Sequence, residues 1–234
     1  MIAVLFSATV LIGYLLGSIP FGLIIGKAFT GKDVRQIGSG KIGMTNVMRA
    51  AGKKAAALSL LLDMAKSALA VLCAHLIFSS PYAESIGVTS TVRESAMAVA
   101  ALSAIGGHTW SVFLRFKGGR GVGTFIGGLF VMYWQAAVIG GGLMLLIGIR
   151  TRYMSMGSII GAVTAFIVLM SFSILQIQLF GPYPAFVYVL YAMVGAIFIY
   201  VIHRDNVIRL FNGTERRIDE KPKTGGPPPS CTPT

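Results

Sequence analysis

Long uninterrupted apolar stretches constrain this sequence more than any other feature. A helix needs about 20 apolar residues to cross the hydrocarbon core of a bilayer. Stretches of about this length or longer are Ile2–Ile25, Ala55–Ser79, Ser95–Phe113, Val122–Ile149, Tyr153–Leu175 and Ala185–Ile202. Only 12% of the residues are charged, against roughly 25% in ordinary soluble domains. Because a backbone in lipid must satisfy its polar groups within the segment, the sequence predicts an all-α, polytopic membrane helix bundle.

The basic residues predict how the chain crosses the membrane. Nearly all of them fall in residues 27–54, 115–120 and 150–152 and after Ile202. Short cytoplasmic loops collect Lys and Arg, so we expect these four clusters on the cytoplasmic side, the N-terminus outside and the C-terminus in the cytoplasm. The chain between Arg120 and Arg150 must then leave the cytoplasmic side of the membrane and return to it. It could do so as two short or tilted helices that turn near Tyr133–Gln135, or as a re-entrant hairpin. About seven transmembrane helices are expected.

The net charge of +12 is explained by this topology and by attraction to anionic lipid, at about 1 kcal/mol for each basic residue near the surface. It does not imply nucleic acid. The two cysteines, Cys73 and Cys231, match neither a disulfide framework nor a zinc site, and no metal is expected. Residues 214–234 are rich in charge, proline and glycine, which predicts a disordered tail after a membrane domain at 1–213.

A glycine-rich polar segment, GSGKIGMTNVMR at residues 38–49, is the first candidate for phosphate binding. Its glycines allow the backbone to approach a ligand, and its arginine offers a planar cationic fork that suits a phosphate. The residues that we assign to this site are Gly38, Ser39, Gly40, Lys41, Thr45, Asn46 and Arg49. A flexible basic loop would have the same composition, so the segment alone leaves both interpretations open.

The segment FKGGRGV at residues 116–122 is the strongest local signal, because glycines and cations stand directly before an apolar helix. Successive glycine N–H groups at a helix N-terminus form an anion cradle, to which nearby cations add charge. The residues predicted to bind phosphate here are Lys117, Gly118, Gly119, Arg120 and Gly121. A glycine hinge beside snorkelling basic side chains is the alternative, but it does not explain why the glycines adjoin the cations.

Two further polar segments complete the expected site. Ser155 and Ser158 are three residues apart, on one face of the first turn of a helix. In HRDNVIRLFNGTE at residues 203–215, His203 and Asn206 share a face in the same way. By themselves the serines fit helix caps and the last segment fits a solvated helix end. All four segments are predicted on one membrane face, where they would form a single cationic pocket.

Two ionisable residues lie within the second apolar stretch. Asp63 and Lys66, at i and i+3, predict a mutual ion pair that supports the active face. For His108, near the end of the third stretch, a structural hydrogen bond is a simpler expectation than acid–base chemistry.

The segments, in this order and between spans of these lengths, resemble those of the bacterial integral-membrane glycerol-3-phosphate acyltransferases that use an acyl phosphate as donor. The similarity extends from Gly17 to Glu215. Its most specific runs are GSIPFG at 17–22, GSGKIGMTNVMR at 38–49, LDMAK at 62–66, FKGGRGV at 116–122 and HRDNVIRLFNGTE at 203–215. The sequence departs at Lys41, where the family usually has asparagine. This added cation would bind phosphate more tightly or change the acceptor.

The resemblance implies a seven-helix fold in the bacterial inner membrane, with its active site facing the cytoplasm. It implies transfer of a fatty acyl group from acyl phosphate to the 1-hydroxyl of glycerol 3-phosphate, which gives lysophosphatidate and phosphate without a cofactor. Acyl phosphate, glycerol 3-phosphate and membrane lipid are the expected partners. An acyl phosphate is already activated, so we expect a substrate-assisted reaction in which positioning dominates. The catalytic residues that the resemblance suggests are Ser39, Arg49, Lys117, His203 and Asn206.

Two alternatives stay open at the level of sequence. A paralogous acyltransferase with a different acceptor would have similar loops. A membrane transporter for phosphate or an organic phosphate would also need glycine-rich, cationic segments. Transporters generally bind substrate near the bilayer midplane, whereas these segments are predicted at one surface, which favours an enzyme.

Overall fold

The computed structural model describes residues 1–220. This part of the chain contains ten α-helices and no β-strand. The helices are α1 (Ile2–Ser18), α2 (Phe21–Thr30), α3 (Met44–Phe78), α4 (Pro81–Ser85), α5 (Ser90–Thr109), α6 (Val122–Met132), α7 (Trp134–Thr151), α8 (Met154–Ile174), α9 (Phe186–Ile202) and α10 (Arg204–Phe211). The all-helical prediction is confirmed for these residues.

Five helical segments are long and apolar enough to cross a membrane, namely Ile2–Thr30, Met44–Phe78, Ser90–Leu114, Trp134–Thr151 and Met154–Ile174. The pair α9 and α10, bent by 58° at His203, makes a sixth. The apolar helix α6, with 11 residues, is shorter. Together these account for the predicted bundle of about seven membrane helices, and the chain is an integral membrane protein with several spans. The sidedness of the termini stays a prediction.

The break between α6 and α7 lies at Tyr133, within the predicted turn at residues 133–135. Tyr133 leaves the helical conformation, with φ −158° and ψ 87°, while its N–H still donates to the Leu129 carbonyl. Its ring packs edge-on against Phe172 of α8, with centroids 6.2 Å apart. The two helices are unequal, because α7 has 18 residues and is long enough to span by itself.

Glycines set the closest helix crossings. At the contact of α6 with α3, a Cβ on Gly127 would strike the backbone of Met64. At the contact of α1 with α5, a Cβ on Gly107 would strike the Tyr14 carbonyl, and Gly140 and Gly161 meet in the same way between α7 and α8. Lipid tails are as apolar as the helix surfaces, so helices in a bilayer associate through such close packing. The crossing of α3 and α6 brings the first turn of α6 against the middle of α3.

Residues 214–220 pack against the helical bundle. The N–H of Ile218 donates to the Arg152 carbonyl at 2.8 Å, and the Arg152 guanidinium pairs with Asp219 at 2.7 Å. The sequence assigns these residues to a disordered tail, but their charged groups find partners beside α7 and α8, so they belong structurally with the membrane domain. The rest of the predicted tail, residues 221–234, lies outside the described residues.

Replacement of Gly127 by alanine should weaken the α3–α6 crossing, because the new methyl group would overlap the backbone of Met64. We expect a loss of about 1–3 kcal/mol, typical of overpacking, seen as a lower thermal unfolding midpoint in detergent. Gly142→Ala is the matched control, since nothing lies within 4 Å of the Cβ that it would add to α7. Equal midpoints for the two variants would contradict this account of the crossing.

Candidate active site

The four polar segments that the sequence singles out converge at one end of the bundle, where they surround an open cavity with about 880 Å³ of empty space. A second cavity of about 960 Å³ shares part of this lining. The predicted site residues that line the first cavity are Ser39, Lys41, Thr45, Asn46, Arg49, Arg120, Gly121, Ser155, Ser158, His203 and Asn206. Lys117 and Gly119 line the second, and Gly38, Gly40 and Gly118 line neither. The structure therefore brings most of the predicted residues together around these two cavities, and their roles stay predictions.

Asn46 organises the loop that carries Ser39. Its side-chain oxygen accepts the Ser39 N–H at 3.0 Å, and its amide nitrogen donates to the carbonyls of Val34 and Lys41 at 2.7 and 2.8 Å. Gly38 has a φ of +58°, and a Cβ there would press on the Asn46 oxygen. Backbone groups thus bind both the oxygen and the nitrogen of the Asn46 side chain, so this residue positions the loop instead of offering a free group to a substrate.

The predicted anion cradle at Gly118 and Gly119 is wrong in its detail. Their N–H groups donate to the Thr109 and His108 carbonyls, each at 3.0 Å, and are therefore not available to a phosphate. Both residues must be glycine for a different reason, because a Cβ on Gly118 would strike the His108 carbonyl and one on Gly119 would strike the His108 ring.

The start of α6 supplies the free N–H groups instead. The first intrahelical bond runs from the Phe125 N–H to the Gly121 carbonyl at 2.8 Å, so the N–H groups of residues 122–124 precede the hydrogen-bond ladder. Gly121, Val122 and Gly123 line the first cavity. A helix N-terminus carries partial positive charge and favours anions, so the N–H groups near Arg120 that could meet an anion lie slightly further along the chain than the predicted cradle.

A buried polar cluster forms the floor of the first cavity. Lys66 Nζ lies 2.8 Å from Asp63 Oδ1, which confirms the predicted ion pair, and 2.8 Å from His108 Nδ1. It also donates to the Ile19 carbonyl at 2.9 Å. Because the ammonium donates to Nδ1, the proton of a neutral His108 ring is on Nε2. The cluster connects α3, α5 and the end of α1, and Asp63 and His108 face the cavity.

Glu215 joins the third and fourth segments, a role that the sequence did not reveal. Its Oε1 accepts from the Ser155 hydroxyl at 2.8 Å and the Asn206 amide at 2.6 Å, and its Oε2 accepts from Arg209 at 2.9 Å. Burial acts to raise the pKa of this carboxyl, but the hydrogen bonds from Asn206, Ser155 and Arg209 outweigh it and hold the pKa below its usual value. The one signal in the sequence is a carboxylate that follows a glycine turn and stands directly before Arg216 and Arg217.

Arg49 is oriented by the backbone of residues 216 and 217. Its Nε and Nη2 donate to the Arg217 carbonyl at 3.3 and 2.9 Å, and Nη2 also donates to the Arg216 carbonyl at 3.3 Å. Carbonyl groups fix the direction of a guanidinium without neutralising its charge. Arg49 therefore keeps a full positive charge at the cavity wall.

Three polar side chains that line the first cavity have their hydrogens directed to protein acceptors. The Ser158 hydroxyl donates to the Met154 carbonyl at 2.7 Å, and the Ser155 hydroxyl donates to Glu215. His203 Nδ1 lies 2.8 Å from the Ile199 carbonyl, which can only accept, so Nδ1 carries the proton. In the neutral ring this leaves Nε2 of His203 as an acceptor for a hydroxyl group.

The fold and the cavity define an integral membrane protein with a cationic pocket at one end of its helical bundle. The family model for glycerol-3-phosphate acyltransferase matches residues 7–213. Glycerol-3-phosphate acyltransferase 3 of Dehalococcoides mccartyi (strain CBDB1) is 40% identical over 212 residues, which cover 91% of this chain and 95% of that protein. The glycerol-3-phosphate acyltransferase of Zymomonas mobilis is 41% identical over 223 residues, covering 94% and 97%.

Two crystal structures of PlsY (YgiH), an integral membrane glycerol 3-phosphate acyltransferase, are also similar. The glycerol 3-phosphate form has a TM-score of 0.73 at 35% identity, and the lysophosphatidic acid form has 0.72 at 33%. Each alignment covers 91% of this chain and 94% of that chain. This chain belongs to the glycerol-3-phosphate acyltransferase family.

Replacement of Glu215 by glutamine should change how stability depends on pH. A carboxyl whose pKa is lowered on folding stabilises the fold above its unfolded pKa, near 4.5, and loses this contribution as the pH falls through its folded pKa. Thermal unfolding in detergent should show Glu215→Gln less stable than the native protein at pH 7, by about 1–3 kcal/mol, with a difference that shrinks below about pH 4.5.

Glu84→Gln, at an exposed carboxylate in α4, is the control and should follow the native curve at every pH. A difference between Glu215→Gln and the native protein that stays constant down to pH 3 would show that the charge of Glu215 is not what stabilises the site.

Proposed function

We propose that this protein transfers a fatty acyl group from an acyl phosphate to the 1-hydroxyl of glycerol 3-phosphate, releasing lysophosphatidate and inorganic phosphate. The observation that carries the proposal is the convergence of four glycine-bearing segments on two adjoining cavities with shared cationic walls. The relatives are named as glycerol-3-phosphate acyltransferases, which supports the acceptor, and the PlsY structures in glycerol 3-phosphate and lysophosphatidic acid forms support the acceptor and the product.

The charges around the cavities fit two phosphates held side by side. The cationic residues that line one or both cavities are Lys41, Arg49, Lys117, Arg120, Arg209 and Arg216. The carboxylates are Asp63, Asp205 and Glu215. Asp63 is paired with Lys66, and Glu215 with Arg209, so most of the remaining cations are available to anionic ligands. Such an excess attracts soluble phosphates and stabilises charge on a departing one.

The proposed chemistry needs no strong side-chain base. The 1-hydroxyl oxygen attacks the carbonyl carbon of the donor, and a new ester bond forms. The bond between the carbonyl carbon and the phosphate oxygen then breaks, and its electrons stay with the phosphate. A phosphate oxygen of the donor takes the hydroxyl proton, so the products are lysophosphatidate and inorganic phosphate. Because the donor is an activated mixed anhydride, holding the two substrates in contact supplies much of the rate.

The site residues receive the following proposed roles. Arg49, Lys117, Arg120 and the N-terminus of α6 at Gly121 bind phosphate oxygens. His203 accepts a hydrogen bond from the glycerol through Nε2, and Asn206 holds Glu215 in place beside it. Ser39 approaches the ligand from the loop that Asn46 fixes. The remaining lining residues assigned to substrate contacts are Lys41, Thr45, Ser155 and Ser158.

Apolar side chains in the lining of the first cavity suit the donor's acyl chain. Leu60, Met144 and Met154 are among them, and they belong to α3, α7 and α8, whose outer faces are apolar. An acyl chain that enters laterally from the bilayer would lie against these side chains. We further propose that the cavities face the cytoplasm from the bacterial inner membrane, because the basic clusters in the loops lie at the same end of the bundle.

Purified protein mixed with palmitoyl phosphate and glycerol 3-phosphate should form lysophosphatidate and release inorganic phosphate in equal amounts, measured by mass spectrometry and a phosphate assay. Palmitoyl-CoA and palmitoyl acyl carrier protein, supplied in parallel, should give no product. Turnover with either of these donors and none with palmitoyl phosphate would contradict the proposed donor.

Lys117→Ala should lower kcat/KM about 100-fold or more, a loss typical of removing one group that stabilises transition-state charge. Lys117 lines the second cavity. Lys53→Ala is the control, because Lys53 is exposed at the start of α3, lines neither cavity, and gives the same change in net charge. Unfolding midpoints should match in both variants. Native rates for Lys117→Ala would remove Lys117 from the site.

A further inference from the structure

Arg216 stands at the mouth of both cavities and belongs to no segment that the sequence singled out. It lies beyond residues 7–213, which the family model matches. Its side chain lines the first cavity and the second, and the residue is exposed. The cations that line both cavities are Lys41, Arg120, Arg209 and Arg216. Arg209 is paired with Glu215 at 2.9 Å, whereas the described contact of the Arg216 side chain is with a main-chain carbonyl.

The C-terminal segment, residues 214–220, fixes where Arg216 lies. On one side of Arg216, Glu215 is bound by Ser155, Asn206 and Arg209. On the other side, Ile218 and Asp219 are bound to Arg152. Its own carbonyl accepts from Arg49. Because the backbone is held on both sides of Arg216, its side chain stays near the cavities. The Arg216 side chain therefore loses less conformational entropy when a ligand binds.

The Arg216 guanidinium has unused capacity for an anion. Its Nη1 donates to the Gly38 carbonyl, next to Ser39, which lines both cavities. A guanidinium has five N–H donors in a rigid fork, and this contact uses one of them. The carbonyl aims the fork across the opening without neutralising its charge. Planar, paired donors of this kind match the oxygens of a phosphate.

We propose that Arg216 binds the phosphate of the soluble acceptor, which, if the proposed function holds, is glycerol 3-phosphate. The acceptor arrives from water, and Arg216 is exposed, whereas the donor's acyl chain would lie against the apolar lining residues Leu60 and Met144. Arg216 therefore selects for an acceptor with a phosphate group and adds a binding residue from outside the matched family region. Its effect is on acceptor affinity, and the chemical step depends on the deeper groups.

The test measures equilibrium binding of glycerol 3-phosphate by calorimetry without donor, and separately the KM values for acceptor and donor. In Arg216→Gln, the affinity for glycerol 3-phosphate should fall about tenfold, as expected for loss of a charged hydrogen bond. The acceptor KM should rise similarly, while donor KM and kcat stay near native values. Arg216→Lys keeps the charge but not the fork, and its affinity for glycerol 3-phosphate should lie between those of the native protein and Arg216→Gln.

Arg150→Gln is the matched control. Arg150 is an exposed arginine in the last turn of α7 that lines neither cavity, so this variant makes the same change in net charge away from the site. It should bind glycerol 3-phosphate as the native protein does. An equal loss in Arg150→Gln would assign the effect to the overall field of the protein and overturn the proposal.

Native affinity in Arg216→Gln, or a change in donor KM alone, would also overturn the assignment. If Arg216→Gln has a lowered unfolding midpoint, Arg216→Lys decides, and native affinity in that variant would contradict a role for the fork. If the native protein binds glycerol 3-phosphate but does not turn over acyl phosphate, the proposed donor is refuted. The binding data would still test the proposed role of Arg216. Native protein that binds no glycerol 3-phosphate would refute both.

Discussion

One buried carboxylate, Glu215, holds the cationic site together. Cations from three of the four polar segments, together with Arg216, line the adjoining cavities, and neighbouring like charges repel. Glu215 offsets part of this repulsion and, through Ser155, Asn206 and Arg209, joins α8 to α10. It also fixes the start of the C-terminal segment, whose carbonyls orient Arg49. The positions of Arg49 and Arg216 therefore both depend on an anion that has no proposed contact with substrate.

Close helix packing provides the second level of organisation. At Gly127 the backbones of α3 and α6 approach to a distance that excludes any side chain, so the N-terminus of α6 lies beside Asp63. The Asp63–Lys66–His108 cluster then connects α3 with α5 and α1. Gly119 packs against the ring of His108, so this buried cluster also positions the segment that contains Lys117 and Arg120. Packing and electrostatics thus act on the same few elements.

Hydropathy and charge predict much of the fold, because bilayer thickness limits helix length and basic loops mark one side. The break at Tyr133 and the Asp63–Lys66 pair follow from the same kind of argument. The sequence does not reveal which partner a glycine or a polar side chain contacts in the folded protein. Glycines that leave room for a phosphate and glycines that leave room for a neighbouring backbone look alike in sequence. The sequence therefore predicts anion binding at Gly118 and Gly119, although their N–H groups donate to backbone carbonyls. Asn46 likewise orders a loop, and Glu215 and Arg216 lie in a segment whose composition resembles disorder.

The shortness of α6 has a consequence for where an acyl donor would react. Eleven residues make a helix about 16 Å long, roughly half of the ~30 Å hydrocarbon thickness. Its first turn meets Leu60 and Asp63, about two to three helical turns beyond Gly52, where α3 is kinked by a non-helical residue with φ 84° and ψ 179°. The cavity floor is thus well below the rim, among the helices. A donor can present its carbonyl carbon there while its alkyl tail stays among the lipid chains. Lifting that tail into water, at about 0.8 kcal/mol per CH₂, is then not required.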